Sequence, residues 1–169
     1  MRKLLLSCFL LFFIFTQCTD KKLDNFAIYM TDNIGNLIGN PPNDDQWKST
    51  TFSNTELALF NSLDTANLSG TQLPVIANSY YGYPNPFTNQ IAVYTALAQP
   101  LNGDIVIKYA VVDNKLNPVK KGCARAHITS SINFLVPGSF SSGNYRLYFT
   151  YSAQGNEHFF KTWGYIQKI

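Results

Sequence analysis

Two histidines, His127 and His158, are the only imidazoles in the 169 residues, so any histidine-assisted nucleophile or histidine metal site would have to use them. His127 follows Cys123 by four residues, which on a strand puts both on one face but about 13 Å apart, too far to ligate one metal. Ser130 and Ser131 lie close to His127 without the sharp Gly-x-Ser-x-Gly turn that exposes a hydrolase serine. Asn43, Asp44, Asp45 and Gln46 gather oxygens of the kind calcium takes, but the spacing and closing glutamate of an EF-hand loop are missing. Asp104, Asp113 and Glu157 fall at expected strand ends, where turns need polar residues, and no two of them stand out as a glycosidase pair. Every constellation lacks a partner. The expectation is a chain with no catalytic residue, no metal, no cofactor and no reaction of its own.

Aromatic side chains offer a different chemistry. Ten tyrosines, most of them between Tyr80 and Tyr165, stand beside Trp163. Such rings stack on sugars and anchor interfaces, and they also fill sandwich cores and pair across strands. Tyr94, Tyr148 and Trp163 are the candidates for an exposed platform, joined by Lys120 and Lys121 from the short basic run that includes Lys115 and Arg125. The partner expected there is an envelope protein or a glycan. Thirteen basic residues stand against ten acidic ones. Setting aside Arg2 and Lys3 leaves 13 − 2 = 11 against 10, a net charge of +1, which implies no nucleic acid.

These side chains must be carried by elements, and the first is not part of a fold. Arg2 and Lys3 precede an apolar run from Leu4 to Phe15 that is broken only by Ser7 and Cys8. This is the charged and apolar order of a signal peptide, and the run is shorter than the roughly 20 residues of a membrane-spanning helix. Phe15-Thr16-Gln17-Cys18 then gives way to the polar Thr19-Asp20-Lys21-Lys22, and this boundary resembles the acylation site of bacterial lipoproteins. The resemblance implies lipidation at Cys18, a membrane partner through that anchor, and a cell-envelope location. Release by secretion is the expectation if Cys18 stays unmodified. With Cys18 acylated, Cys123 has no partner for a disulfide and reads as a small strand residue.

The organisation expected is therefore a signal peptide over 1–17, a tether over 18–24, a less regular segment over 25–78 and a β-sandwich over 79–169. Gly35, Gly39, Pro41 and Pro42 punctuate the irregular segment. Within it, Ser53 and Glu56 form a capping box ahead of Leu57, Leu59, Phe60 and Leu63, which predicts a short helix near 54–63. From Ser79 onward apolar residues recur at every second position: Ile91 and Val93; Ile105, Ile107, Tyr109 and Val111; Ile132, Phe134 and Val136; Tyr145, Leu147, Phe149 and Tyr151. Each run reads as a strand with one buried and one wet face, and turn signals between them, clearest at Gly155-Asn156, suit antiparallel hairpins. The fold class is mainly β, an immunoglobulin-like antiparallel sandwich with one short helix.

A second resemblance runs through the last 90 or so residues. Tyr83-Pro84-Asn85-Pro86-Phe87-Thr88-Asn89, Asp113-Asn114, Gly143-Asn144-Tyr145-Arg146-Leu147 and the final Lys168-Ile169 look like the C-terminal immunoglobulin-like domains of Bacteroidota secreted proteins. Those domains serve as sorting signals for type IX secretion. In that lineage Asp64-Thr65-Ala66 looks like a short O-glycosylation motif, with Thr65 as acceptor. The segment between Lys120 and Phe134 is longer and more polar than the sorting pattern, so the reading adopted is an envelope lipoprotein acting as a binding or structural module. A sorting signal is the alternative.

Overall fold

The computed structural model describes residues 27–42, 44–63, 81–98, 103–127, 130–153 and 156–169, so Cys18 and Thr65 lie outside the described residues. The period-two runs become seven strands: β1 (Gly82–Tyr83), β2 (Gln90–Ala96), β3 (Asp104–Val112), β4 (Pro118–His127), β5 (Ser131–Pro137), β6 (Gly143–Ala153) and β7 (Asn156–Lys168). They form two antiparallel sheets, β1-β2-β5 and β4-β3-β6-β7. The chain changes sheet after β2, after β4 and after β5, which makes the immunoglobulin-like sandwich expected from the sequence.

In β2 and β5 the alternation is as read. Ile91, Val93, Ile132, Phe134 and Val136 point inward, while Tyr94 and Leu135 are exposed on the opposite face. Antiparallel register sets Val93 against Phe134 and Tyr94 against Asn133. Ile105, Ile107, Tyr109 and Val111 of β3 and Leu147, Phe149 and Tyr151 of β6 complete the layer between the sheets. Phe134 is central to it, edge-on to Phe149 and Tyr151 and stacked on Tyr109.

The expectation of one wet face per strand fails for β3 and β6. Val106, Lys108, Ala110 and Val112, and Tyr148, Thr150 and Ser152, have the outward parity and are nevertheless buried. Ala110, Val112 and Tyr148 are covered by the N-terminal segment. Ser53 and Glu56 do form a capping box and start a helix, α1 (Asn54–Ala58), with the Ser53 side chain accepting from the Glu56 N–H and the Glu56 side chain accepting from the Ser53 N–H. The helix is five residues long, shorter than the expected 54–63, because the chain then tightens into turns: Phe60 N–H bonds the Leu57 carbonyl and Leu63 N–H the Phe60 carbonyl. That bend lays Phe52, Leu59 and Phe60 on Ala110, Val112 and Tyr148 as a second core.

The same segment closes the free edge of β7. Trp47 N–H donates to the Trp163 carbonyl at 2.6 Å and Thr50 N–H to the Lys161 carbonyl at 2.9 Å. The Thr162 hydroxyl donates to the Lys48 carbonyl, and Gln46 Oε1 accepts from the Tyr165 N–H. Trp47, 2% exposed, takes a positive φ of 60° and inserts its indole into the main core. Gly164 makes room for it, since a Cβ there would overlap the indole ring. Glycine inside a long strand marks this kind of close approach.

Pro-Asn-Pro-Phe fastens the other end of β7. Both bonds preceding its prolines are cis. Buried Asn85 donates from Nδ2 to the Tyr29 and Tyr165 carbonyls and accepts at Oδ1 from the Gln167 N–H. Phe87 fills the core edge-on to Phe140, and its backbone bonds both Gln167 and Ile169.

Two loops share one design. In Asp32–Asn36 and Asp113–Asn117 the aspartate Oδ1 accepts the N–H groups two and four residues on, and Oδ2 accepts the asparagine side-chain amide. The fourth residue of each is left-handed, Gly35 at φ 88° and Leu116 at φ 65°. Hydrogen bonds, chiefly from the Asn36 N–H, hold the Asp32 carboxyl below its ordinary pKa. At Asp113 partial burial opposes this, but the Asn117 and Lys115 donors outweigh it and the pKa is again lowered. A carboxylate with a depressed folded pKa contributes stability that is present above the unfolded value, about 3.9, and is lost as pH falls through the lower folded value. Urea midpoints at pH 7 and pH 3 should therefore fall further in the wild type than in Asp32→Asn/Asp113→Asn. Equal falls would show that these loops do not contribute to the acid limb.

Candidate functional site

The outer face of the three-stranded sheet carries exposed side chains, Tyr94 and Leu135 among them. Gly82 faces inward, packed toward Ile91 and Trp47, so the next residue, Tyr83, points outward beside Ala92. Tyr94 stands on the same face and is 42% exposed. Together with Tyr81 and the loop residues Ile34 and Gly35, these two rings line an open cleft of about 280 Å³.

Each wall is held by the fold. Tyr81 stacks on Tyr29 with ring centres 5.6 Å apart, and the Tyr29 hydroxyl donates to the Pro42 carbonyl. Burial, with Asp44 nearby, raises the Tyr29 pKa, so its hydroxyl stays a donor at neutral pH. The Asp32 side chain fixes the 32–36 loop, and a Cβ on Gly35 would sit 3.4 Å from the Tyr83 ring at a φ that L side chains rarely adopt. The cleft is preformed, aromatic, and fringed by phenol oxygens.

The five residues expected to make an interaction surface are not brought together. Tyr94 lines the cleft. Tyr148 corrects the expectation: it is fully buried under Phe52 and Phe60, because α1 and its following turns cover that face of β6. Its hydroxyl accepts a hydrogen bond from Arg146 Nη1 at 2.7 Å and donates one to Glu56 Oε1 at 3.0 Å. Burial raises the Tyr148 pKa well above the ordinary phenol value although Arg146 pulls it down, so this donor persists across physiological pH. Trp163 is half-buried with the Arg146 guanidinium 4.3 Å from its ring centre, while Arg146 Nη2 reaches the Tyr165 hydroxyl. Lys120 and Lys121 lie on β4 in the other sheet, bonded to Ser139 and Ser62. Tyr81, Tyr83, Ile34 and Gly35 escaped selection because the loop and β1 meet only in the fold. The sole hint was the clustering of Tyr81 and Tyr83.

The titratable candidates are dispersed. His127 Nδ1 lies 2.8 Å from Asp104 Oδ1 on an exposed surface. His158 is half-buried, with Nδ1 3.2 Å from the Thr150 hydroxyl and its ring beside Phe60. The Asp44 carboxylate accepts from the Gln46 N–H and side-chain amide, and Asp45 pairs with Lys48 at 3.5 Å. Cys123 is an exposed thiol on β4. Among the described residues, no three His, Cys, Asp or Glu side chains gather where they would hold a metal ion.

No family model and no curated protein matches the sequence. Among solved structures, the chain is similar to the CARDB domain of a Pyrococcus furiosus protein determined in complex with di-metal ions. The identity is 10%, the TM-score 0.36, and the match spans 71% of this chain and 100% of that one.

Proposed function

We propose that this chain is an exported, lipid-anchored envelope protein whose sandwich is a non-catalytic binding module, with the tyrosine cleft as its contact surface. One observation carries the reading: the N-terminal segment covers Ala110, Val112 and Tyr148 on the outer face of one sheet, yet Tyr94 and Ile34 stay exposed in the walls of an open cleft beside the other. Aromatic rings kept at a surface in this way mark interaction sites. The anchor rests on Arg2, Lys3, the apolar run and Cys18. The alternative, a type IX sorting signal, draws on Pro-Asn-Pro-Phe, whose Asn85 and Phe87 already have packing roles that account for them.

Two measurements test this. Cys18→Ala should move the protein from the membrane to the soluble fraction, since several acyl chains on one cysteine anchor stably. A soluble form beginning at Thr19 should co-sediment with isolated cell envelopes, and Tyr94→Ala should weaken that association at least fivefold. A Cys18→Ala variant that stays in membranes refutes the anchor. Envelope association indifferent to Tyr94→Ala refutes the cleft.

A further inference from the structure

We propose that the cleft takes a neutral oligosaccharide, with one pyranose ring laid against Tyr94 and Tyr83 and its hydroxyls directed to the rim. The proposal deepens the binding-module reading and rests on it. Among the described residues no charged side chain lines the cleft: its walls there are Ile34, Gly35 and three tyrosines. The nearest carboxylate in sequence, Asp32, is already occupied by the Ile34 and Asn36 N–H groups and the Asn36 amide. An anionic ligand would therefore lose water without gaining a counter-charge.

What the walls do offer is ring faces with negative quadrupoles and phenol oxygens at their edges. The matching ligand presents polarised C–H groups on one face and hydroxyls around its perimeter, and a pyranose has that form. A peptide strand is the competing shape, and it needs an open sheet edge for its backbone. The edge of β1 beside the cleft is occupied: the Thr31 hydroxyl bonds the Gly82 carbonyl, and Thr31 pairs in both directions with Asn85. The volume, about 280 Å³, is at the small end of ligand sites, which run roughly 300–1,000 Å³, and suits about one or two sugar rings. Rings fixed in advance by the Tyr29–Tyr81 stack and the Asp32 loop reduce the ordering cost that a shallow site would otherwise carry.

The test uses the soluble chain from Thr19, titrated calorimetrically with β-linked hexasaccharides of glucose and of N-acetylglucosamine, an anionic oligogalacturonate and a proline-rich peptide. At least one neutral hexasaccharide should bind. Its affinity should fall at least tenfold in Tyr94→Ala and in Tyr83→Ala, and stay within threefold in Tyr94→Phe, which keeps the ring. Thermal unfolding of Tyr94→Ala close to that of the wild type would show that the loss is local. Binding of only the anionic sugar or the peptide, no binding of either neutral sugar, or neutral binding unaffected by Tyr94→Ala would each overturn the proposal. Tyr94-dependent sedimentation with envelopes alongside any of these results would leave the binding-module reading standing and locate the failure in the ligand class.

Discussion

Asn85→Ala should lower stability by about 3–5 kcal/mol, taking roughly 1–1.5 kcal/mol for each of its three side-chain hydrogen bonds and adding the cost of the groups left unpaired. The side chain is fully buried and ties its own turn to two other pieces of chain: Tyr29 from the N-terminal segment, and Tyr165 and Gln167 from the last strand. The near-isosteric Asn85→Asp separates hydrogen bonding from shape. A carboxylate there would face the Tyr29 and Tyr165 carbonyls, both acceptors, so the aspartate must be protonated to fit and its folded pKa must rise. A raised carboxyl pKa destabilises above the unfolded value, so Asn85→Asp should be less stable at pH 7 than at pH 4. Urea unfolding at both values checks this. A loss under about 1 kcal/mol in Asn85→Ala, or a pH-independent deficit in Asn85→Asp, would show that the residue is only a turn former.

Trp47→Ala should cost about 3–5 kcal/mol, the usual range for emptying a buried aromatic site. The indole lies between Gly82 of one sheet and Gly164 of the other and tilts against Phe149. Gly164→Ala should itself cost about 1–3 kcal/mol by forcing a methyl into the ring. In the Trp47→Ala background that second penalty should vanish, giving a coupling of at least 1 kcal/mol in a double-mutant cycle. Additive losses would mean that Gly164 is needed for backbone reasons alone. Near-UV circular dichroism of each variant shows whether the aromatic core stays ordered.

What the sequence could reveal depended on whether the relevant physics is local. Alternation in β2 and β5 is local, and Ile91, Val93, Ile132, Phe134 and Val136 are buried as their parity implies. The Ser53–Glu56 capping box is local too. Parity cannot register a cover supplied from elsewhere in the chain, so Ala110, Val112 and Tyr148 read as solvent-facing although they lie under the 52–63 segment. Trp47 was hidden among turn residues. Gly164, a glycine in a run of β formers, was the available sign that a bulky group approaches there. Leu116 shows the converse, a left-handed position without glycine, because its side chain packs on the second core while the equivalent Gly35 faces a tyrosine ring. The cleft was legible in Tyr94 and hinted at by the clustering of Tyr81 and Tyr83, while Ile34 and Gly35 come from a separate part of the chain.

The segment that closes β7 joins residues very far apart in sequence: Gln46 to Tyr165 across 119 positions, Lys48 to Thr162 across 114. Loops of that length close late, and their contacts cannot form until both ends exist. A ribosome must therefore release the chain through β7 before Trp47 can meet its glycine or Asn85 its strand. Until then β7, the partner of β6, is absent and neither core can be completed. Under the proposed export, a chain that crosses a membrane as an extended thread gains from that delay, because the native state stays out of reach until β7 has been made.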